Sequence, residues 1–182
     1  EAAGDPLHFS VRRRAVDIQD VYGVVLDGAQ TVNRARIGYL EVRSFSETII
    51  SQFDEELATL ESKGIRGLII DLRGNPGGLL SAAVDMSARF LDGKVITKME
   101  MRTGKPEVFV SPSGWAEGRN YPLVVLVDEN SASAAEIFTG ALKDYHRATI
   151  VGQRTYGKGS VQRMLPMADG SQIKLTIARY YL

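Results

Sequence analysis

The 182-residue sequence contains no cysteine and only two histidines, His8 and His146. The first absence removes thiol nucleophiles, cysteine-based zinc sites and disulfides together. The second rules out a histidine-rich metal centre, so no metal ligand is assigned. No apolar run approaches the roughly 20 residues that a bilayer-spanning helix needs. Neither sign of charge is in excess: Lys plus Arg and Asp plus Glu each number 22. No net field therefore draws the chain to nucleic acid or to an anionic membrane. The longest basic cluster, Arg12-Arg13-Arg14, is short enough for a solvated strand end. A chain without cysteine suits an oxidising compartment.

What remains is globular material, with 44% hydrophobic and 24% charged residues. The length allows one substantial core and a small appendage. Residues 1–35 read as N-terminal strands and a linker, and residues 36–182 as the core. Alternation of Leu7, Phe9 and Val11 with polar residues predicts a half-buried strand. Residues 16–18 predict another, and the turn-rich residues 27–35 a hairpin loop or linker. From Ile37 the pattern strengthens, with strands predicted over 37–42, 67–72, 95–101, 123–127 and 148–152. A short strand at 107–110 reads as the hairpin partner of 95–101. One helix is predicted to start at a Ser46 cap, carry the stripe Ile50, Phe53, Leu57 and Leu60, and end at Gly64. A second covers 79–91. A third buries Ala134, Ile137, Phe138, Ala141, Leu142 and Tyr145. Strands at 161–164 and 173–181 flank a turn at 168–171. The alternation through 37–152 implies βαβ crossovers. The predicted fold is α/β, a mostly parallel sheet flanked by helices with antiparallel strands at both ends.

The apolar strand at 123–127 runs into Asp128-Glu129-Asn130-Ser131-Ala132-Ser133-Ala134-Ala135-Glu136. A serine at such a strand-to-helix elbow sits at the positive end of a helix dipole, among side chains too small to block a substrate. Ser131 and Ser133 both fit, and Ser133 is taken as the candidate nucleophile. The strand at 67–72 runs into a glycine loop at 73–78 that lacks both GxGxxG and GxxxxGK[ST], which argues against a nucleotide site. That loop reads as a tight turn with positive φ at Gly77 or Gly78. It reads equally as a row of N–H groups able to hold an oxyanion at the carboxyl edge of the sheet.

Such a serine needs a base. His146 lies near the far end of the helix that Ser133 opens, too remote to reach it. Lysine is the other serine activator, and Lys158 stands between Gly157 and Gly159 in the glycine-rich loop 153–160. A Gly-Lys-Gly stretch reads also as a solvated turn. As a base, an amine of ordinary pKa near about 10.4 has to be desolvated, which lowers it by up to about 3–5 units. Neutral Gln162 could hold the amine in line without raising that pKa, as a carboxylate would.

Three separated blocks carry a resemblance. They are Asp71-Leu72-Arg73-Gly74-Asn75-Pro76-Gly77-Gly78, Ser131-Ala132-Ser133-Ala134-Ala135-Glu136-Ile137 and Thr155-Tyr156-Gly157-Lys158-Gly159-Ser160-Val161-Gln162. In this order they resemble the carboxy-terminal processing (tail-specific) protease family, serine endopeptidases with a Ser-Lys dyad and a core related to ClpP and crotonase. The resemblance runs from about Ile37 to the C-terminus. It implies that Ser133, rather than Ser131, is the nucleophile, Lys158 the general base and Gln162 the residue orienting the lysine. The oxyanion hole would use the N–H of Ala134 and one from Gly77 or Gly78. Glu136, Asp144 and Thr155 stand where the family favours such residues, and capping or ion pairing accounts for each as well as catalysis does.

The resemblance implies no cofactor. It implies protein or peptide substrates with apolar C-terminal tails, a homo-oligomer or regulatory partner, and a place in the periplasm, a lumen or the cell envelope. Family members carry a PDZ domain ahead of the core, and here only residues 7–13 resemble its last strand. Relatives also continue where this chain stops, so the expectation is the core of a longer protein. Two other functions fit the same fold. One is a crotonase-like acyl-CoA enzyme, which needs no Ser-Lys pair. The other is a non-catalytic ligand-binding module, as in the retinoid-binding repeats of the interphotoreceptor matrix.

Overall fold

The structure, a computed structural model, describes residues 9–10, 18–27 and 34–181. Apart from residues 9–10, which are exposed and form no strand, the strand expected over 7–11 and the PDZ-like segment 7–13 lie outside the described residues, as do most of 16–18 and most of loop 27–35. In chain order the elements are β1 (Val21–Leu26), β2 (Ile37–Val42), α1 (Ile49–Ser62), β3 (Gly67–Asp71), α2 (Leu80–Ala88), β4 (Val95–Met101), β5 (Glu107–Val110), β6 (Leu123–Val127), α3 (Ala134–Asp144), β7 (Thr149–Gly152), β8 (Ser160–Pro166) and β9 (Gln172–Tyr181).

They form two sheets. The first has the order β1-β2-β3-β6-β7, with β2, β3, β6 and β7 parallel and β1 antiparallel on the edge. Of the three inner strands, β3 and β6 are near-continuous aliphatic runs, the pattern of parallel strands buried on both faces. Four parallel strands in adjacent positions release their carboxyl ends along one edge. The segments that follow them, at 43–45, 72–78, 128–133 and 153–158, therefore meet there. This is the edge at which open α/β sheets build sites.

The second sheet, β5-β4-β9-β8, is antiparallel throughout. Antiparallel strands thus stand at both ends of the chain, as expected, with β1 on the edge of the first sheet and β8 and β9 in the second. One expectation is corrected: β3-α2-β4 is not a crossover within one sheet, because β6 takes the place beside β3. The physical reason lies in β4, where Lys98 and Glu100 alternate with less exposed residues. Such a strand leaves one face in water and suits an antiparallel pair rather than a sheet interior. Strand β1 has no counterpart among the expectations, since its apolar residues do not alternate and Gly23 interrupts them.

The core is joined by four phenylalanines, Phe53–Phe90, Phe90–Phe138 and Phe138–Phe45, with ring centroids 6.2, 6.4 and 6.2 Å apart. Phe45 also fastens the glycine loop. Its N–H donates to Gly77 O at 2.9 Å, and its carbonyl accepts from Leu79 N–H at 2.8 Å. That bridge keeps the chain extended past residue 45, which corrects the start of α1. Ser46 is not its cap; the N-terminal position falls on Thr48, and Ile49 rather than Ile50 joins Phe53, Leu57 and Leu60 in the buried stripe. Gly64 ends the helix as expected, with φ 71° and its N–H on Glu61 O. Tyr145 closes α3 but stays 40% exposed.

Candidate active site

The turn after β6 is organised by Asp128. Its Oδ1 accepts the N–H groups of Asn130 at 3.0 Å, Ser131 at 3.1 Å and, across the gap to the glycine loop, Gly74 at 2.9 Å. The Gly74 N–H is the main reason that the Asp128 carboxyl lies below the ordinary carboxylate range. Ser131 is fully buried, and its hydroxyl donates to Leu72 O at 2.7 Å while accepting from Asp128 N–H at 3.0 Å. It is a fastener between the ends of β3 and β6, with no hydroxyl proton free for chemistry.

Ser133 differs on every count. It is half-buried, it sits one residue before α3, and its backbone holds φ 56° and ψ −117°. A non-glycine residue in that region stores about 1–3 kcal/mol, sustained only where the surroundings over-determine it. Here the flanking Ala132, Ala134 and Ala135 are all buried. Glu136 Oε2 draws in the Ser133 N–H at 2.8 Å.

The same carboxylate captures the loop that follows β7. Glu136 Oε1 accepts from Thr155 Oγ1 at 2.8 Å and from Gly157 N–H at 2.6 Å, and Oε2 accepts from Lys158 N–H at 2.8 Å. Tyr156 N–H adds a bond to Ser131 O at 3.0 Å, and Gly159 O takes Tyr180 N–H at 2.9 Å. The loop is thus tied down through its backbone, although Tyr156, Gly157 and Gly159 stay exposed. Lys158 is half-buried. Ser133 and Lys158 line one cavity of about 200 Å³ together with Ile137 and Tyr180.

The glycine loop packs against the same elbow. Fully buried Asn75 donates from Nδ2 to Val42 O at 2.8 Å and accepts Gly77 N–H on Oδ1 at 2.8 Å, while its carbonyl takes Ala132 N–H at 2.9 Å. Gly77 has φ 94°, and a Cβ there would stand 2.5 Å from Ala132 O and 2.7 Å from Ser133 Cβ. Only glycine lets the two loops approach this closely. The Gly77 amide is already committed to Asn75. Among the described residues, the amides of Gly78 and Ala134 donate to no protein acceptor.

Two expected site residues stand apart. Asp144 is exposed at the far end of α3, roughly 15 Å along the axis from Ser133, and ion-pairs with no described residue. Gln162 lies exposed on β8 and borders the same groove as Lys158, with no side-chain hydrogen bond to a described residue. Among the described residues no cluster of acidic or histidine side chains is arranged to hold a metal.

Residues 36–182 match peptidase family S41. The chain belongs to that family. It is 38% identical over 175 residues to the carboxy-terminal processing protease CtpA of Bacillus subtilis, which covers 96% of this chain and 36% of that protein. It is 37% identical over 175 residues to the carboxyl-terminal-processing protease of Synechocystis, over 96% of this chain and 40% of that protein. Among solved structures, the photosystem II D1 C-terminal processing protease superposes with a TM-score of 0.81 at 31% identity, over 91% of this chain and 44% of that one. The chain therefore spans about two fifths of the length of these relatives.

Within this S41 core, three residues that set the loop geometry received no role from sequence reasoning. Asp128 and Asn75 are two. The third is Asp71, which ends β3 with its side chain almost wholly buried. It accepts Tyr39 Oη at 2.5 Å and both Arg73 N–H and Arg73 Nε at 2.9 Å. Burial pushes its carboxyl up, but the Arg73 and Tyr39 hydrogen bonds outweigh that and hold it below the ordinary range. A local signal existed in each case. Asp and Asn directly after a buried strand are well suited to bonding backbone N–H groups two residues on.

Proposed function

We propose that this S41 core is the catalytic part of a serine endopeptidase that cleaves protein substrates near their C-termini. One observation carries the reading: a single carboxylate, Glu136, binds the backbone of both Ser133 and Lys158, and the two residues line one cavity. In the proposed reaction neutral Lys158 takes the Ser133 hydroxyl proton as Oγ bonds to the scissile carbonyl carbon. The amides of Ala134 and Gly78 receive the oxyanion, in preference to Gly77, whose N–H is engaged by Asn75. The C–N bond then breaks, and Lys158 returns the proton to the leaving amine. Water, deprotonated by the same lysine, attacks the acyl carbon, and as the ester C–O bond breaks Lys158 returns that proton to Ser133 Oγ. Gln162 is assigned to steady the lysine from the groove when substrate is bound, and Glu136 and Thr155 to hold its loop. Asp144 receives no catalytic part. No cofactor enters the scheme.

The proposal extends to apolar-tailed substrates, a homo-oligomeric or regulated assembly, a place outside the cytoplasm, and residues 1–35 as the end of a tail-binding PDZ module. Similarity to proteins named as C-terminal processing proteases supports these readings. Ser133→Ala and Lys158→Ala test the chemistry. Each is expected to lower turnover of an unstructured, apolar-tailed peptide at least about a thousandfold, and a serine-directed phosphonate is expected to label Ser133 alone. Full turnover by either variant sinks the dyad. Retention of coenzyme A with no labelling favours the acyl-CoA reading, and absence of both favours a binding module.

A further inference from the structure

Lys158 faces more than the small cavity it shares with Ser133. It also borders an open groove of about 1020 Å³ that runs from the glycine loop and Ala132 to the β8–β9 hairpin. Three cations line this groove, Lys158, Lys174 and Arg179, and no carboxylate does. In a chain of net charge zero that is a local segregation of charge. A concave wall of one sign focuses its field on a ligand.

The two hairpin cations share the groove because of a register shift. Lys174 and Arg179 are five residues apart, which in a regular strand puts side chains on opposite faces. Here Ala178 pairs with Val161 but Thr176 pairs with Gln162, so β9 carries one extra residue at Ile177. The bulge turns Arg179, opposite Ser160, to the same face as Lys174, opposite Met164, with Gln162 between them. Four residues of β8 separate the two levels, a span of roughly 13 Å. That is the reach of about four residues of an extended peptide. Tyr180 N–H on Gly159 O ties this face to the Lys158 loop.

Neither cation is neutralised. Among the described residues, Lys174 and Arg179 form no salt bridge within 4.0 Å and no side-chain hydrogen bond. Glu100, opposite Arg179 on β4, makes no such pair, although the two residues border one further depression outside this groove. The Glu136 oxygens are taken up by four donors.

We infer that Arg179 and Lys174 form a carboxylate-reading subsite of the peptide groove, selecting substrates with a carboxylate within about four residues of the scissile bond. The carboxylate belongs either to an acidic side chain or to the free end of a short C-terminal tail. This assignment rests on the endopeptidase reading for its activity assay but not for its binding assay.

The test uses three peptides of one sequence on the 182-residue chain: free C-terminus, amidated C-terminus, and amidated with one Glu a few residues from the cleavage point. At least one carboxylate-bearing peptide is expected to show about five-fold higher kcat/KM than the amidated neutral one, through KM, with the advantage fading as salt rises. Which of the two gains identifies the source. Lys174→Gln and Arg179→Gln should each shrink that ratio toward one, and Arg179→Lys should restore part of it. Anisotropy of the same labelled peptides on the Ser133→Ala chain reads the preference without hydrolysis. Equal binding and equal kcat/KM for all three peptides overturn the inference, as does a preference that survives both glutamine variants. A binding preference without any hydrolysis upholds the subsite and removes the endopeptidase reading instead.

Discussion

Glu136 Oε2 accepts the backbone N–H of Lys158 at 2.8 Å while the same oxygen accepts that of Ser133 at 2.8 Å. The candidate base is thus brought to the candidate nucleophile by a carboxylate that touches neither reacting group. Glu136→Gln keeps the size but turns an amide NH₂ toward N–H donors. Losing hydrogen bonds to a charged acceptor costs about 1.5–3 kcal/mol, so kcat is expected to fall about 10–100-fold. KM should change little, because the groove walls remain. Steady-state kinetics on an apolar-tailed peptide, with a thermal melt as the folding control, checks this, and an undiminished kcat removes the tether from the account.

The two loops admit no side chain at Gly77. Gly77→Ala introduces a Cβ 2.5 Å from one backbone atom and 2.8 Å from another, at φ 94°. About 3 kcal/mol or more of stability should be lost, with activity. Gly74 is the internal control: its φ is 73°, yet nothing lies within 4 Å of a Cβ there. Gly74→Ala should cost only about 1–2 kcal/mol, the ordinary penalty of a left-handed residue. Urea midpoints of the two variants measure the difference, and equal losses contradict it.

Ser131 and Ser133 should separate cleanly. Ser131→Ala removes a buried hydroxyl bonded to Leu72 O and Asp128 N–H, and is expected to cost about 1–3 kcal/mol. It should still react with a serine-directed phosphonate. Ser133→Ala should keep its stability and lose the label. Mass spectrometry of the labelled proteins decides, and label retained on Ser133→Ala moves the nucleophile elsewhere.

Asp128 couples the site to acid. Its carboxyl is depressed in the native state, chiefly by the Gly74 N–H. A depressed carboxyl stabilises the fold above its unfolded value, near about 3.9, and that contribution disappears as pH falls through the lower native value. Asp128→Asn should therefore cost about 1 kcal/mol, reduced by solvent contact, at neutral pH. The gap to wild type should stay constant down to about pH 5 and close below about pH 4. Denaturant melts across that range test it, and a gap that widens in acid reverses the sign of the argument.

Much of this was open to a reader of the sequence alone. Strands β3 and β6 announce themselves as unbroken aliphatic runs, and α3 by the period of Ala134, Phe138 and Ala141. β4 and β5 fall on their expected residues because alternation is a local property. β1 was hidden, since an edge strand with Gly23 and no alternation carries little local signal. Pairing was hidden too: whether β4 or β6 lies beside β3 depends on burial of whole faces, which no window of residues contains.

The site divides in the same way. By itself the sequence determined its chemistry: serines at an elbow, one lysine between glycines, a glycine loop, and neither cysteine nor a usable histidine. The elbow taken alone fits Ser131 as well as Ser133, because a residue's type does not say where its proton goes, and it was the family resemblance that singled out Ser133. The tertiary structure adds where each hydroxyl lies, burying Ser131 against Leu72 O and leaving Ser133 half-buried on a strained backbone. It also ties the Lys158 backbone to that of Ser133, since Glu136 has four donors to gather from two loops distant in sequence. It set Asp144 three helical turns from the cavity. Adjacent parallel strands bring their carboxyl ends together, and only the packed fold determines which strands are adjacent.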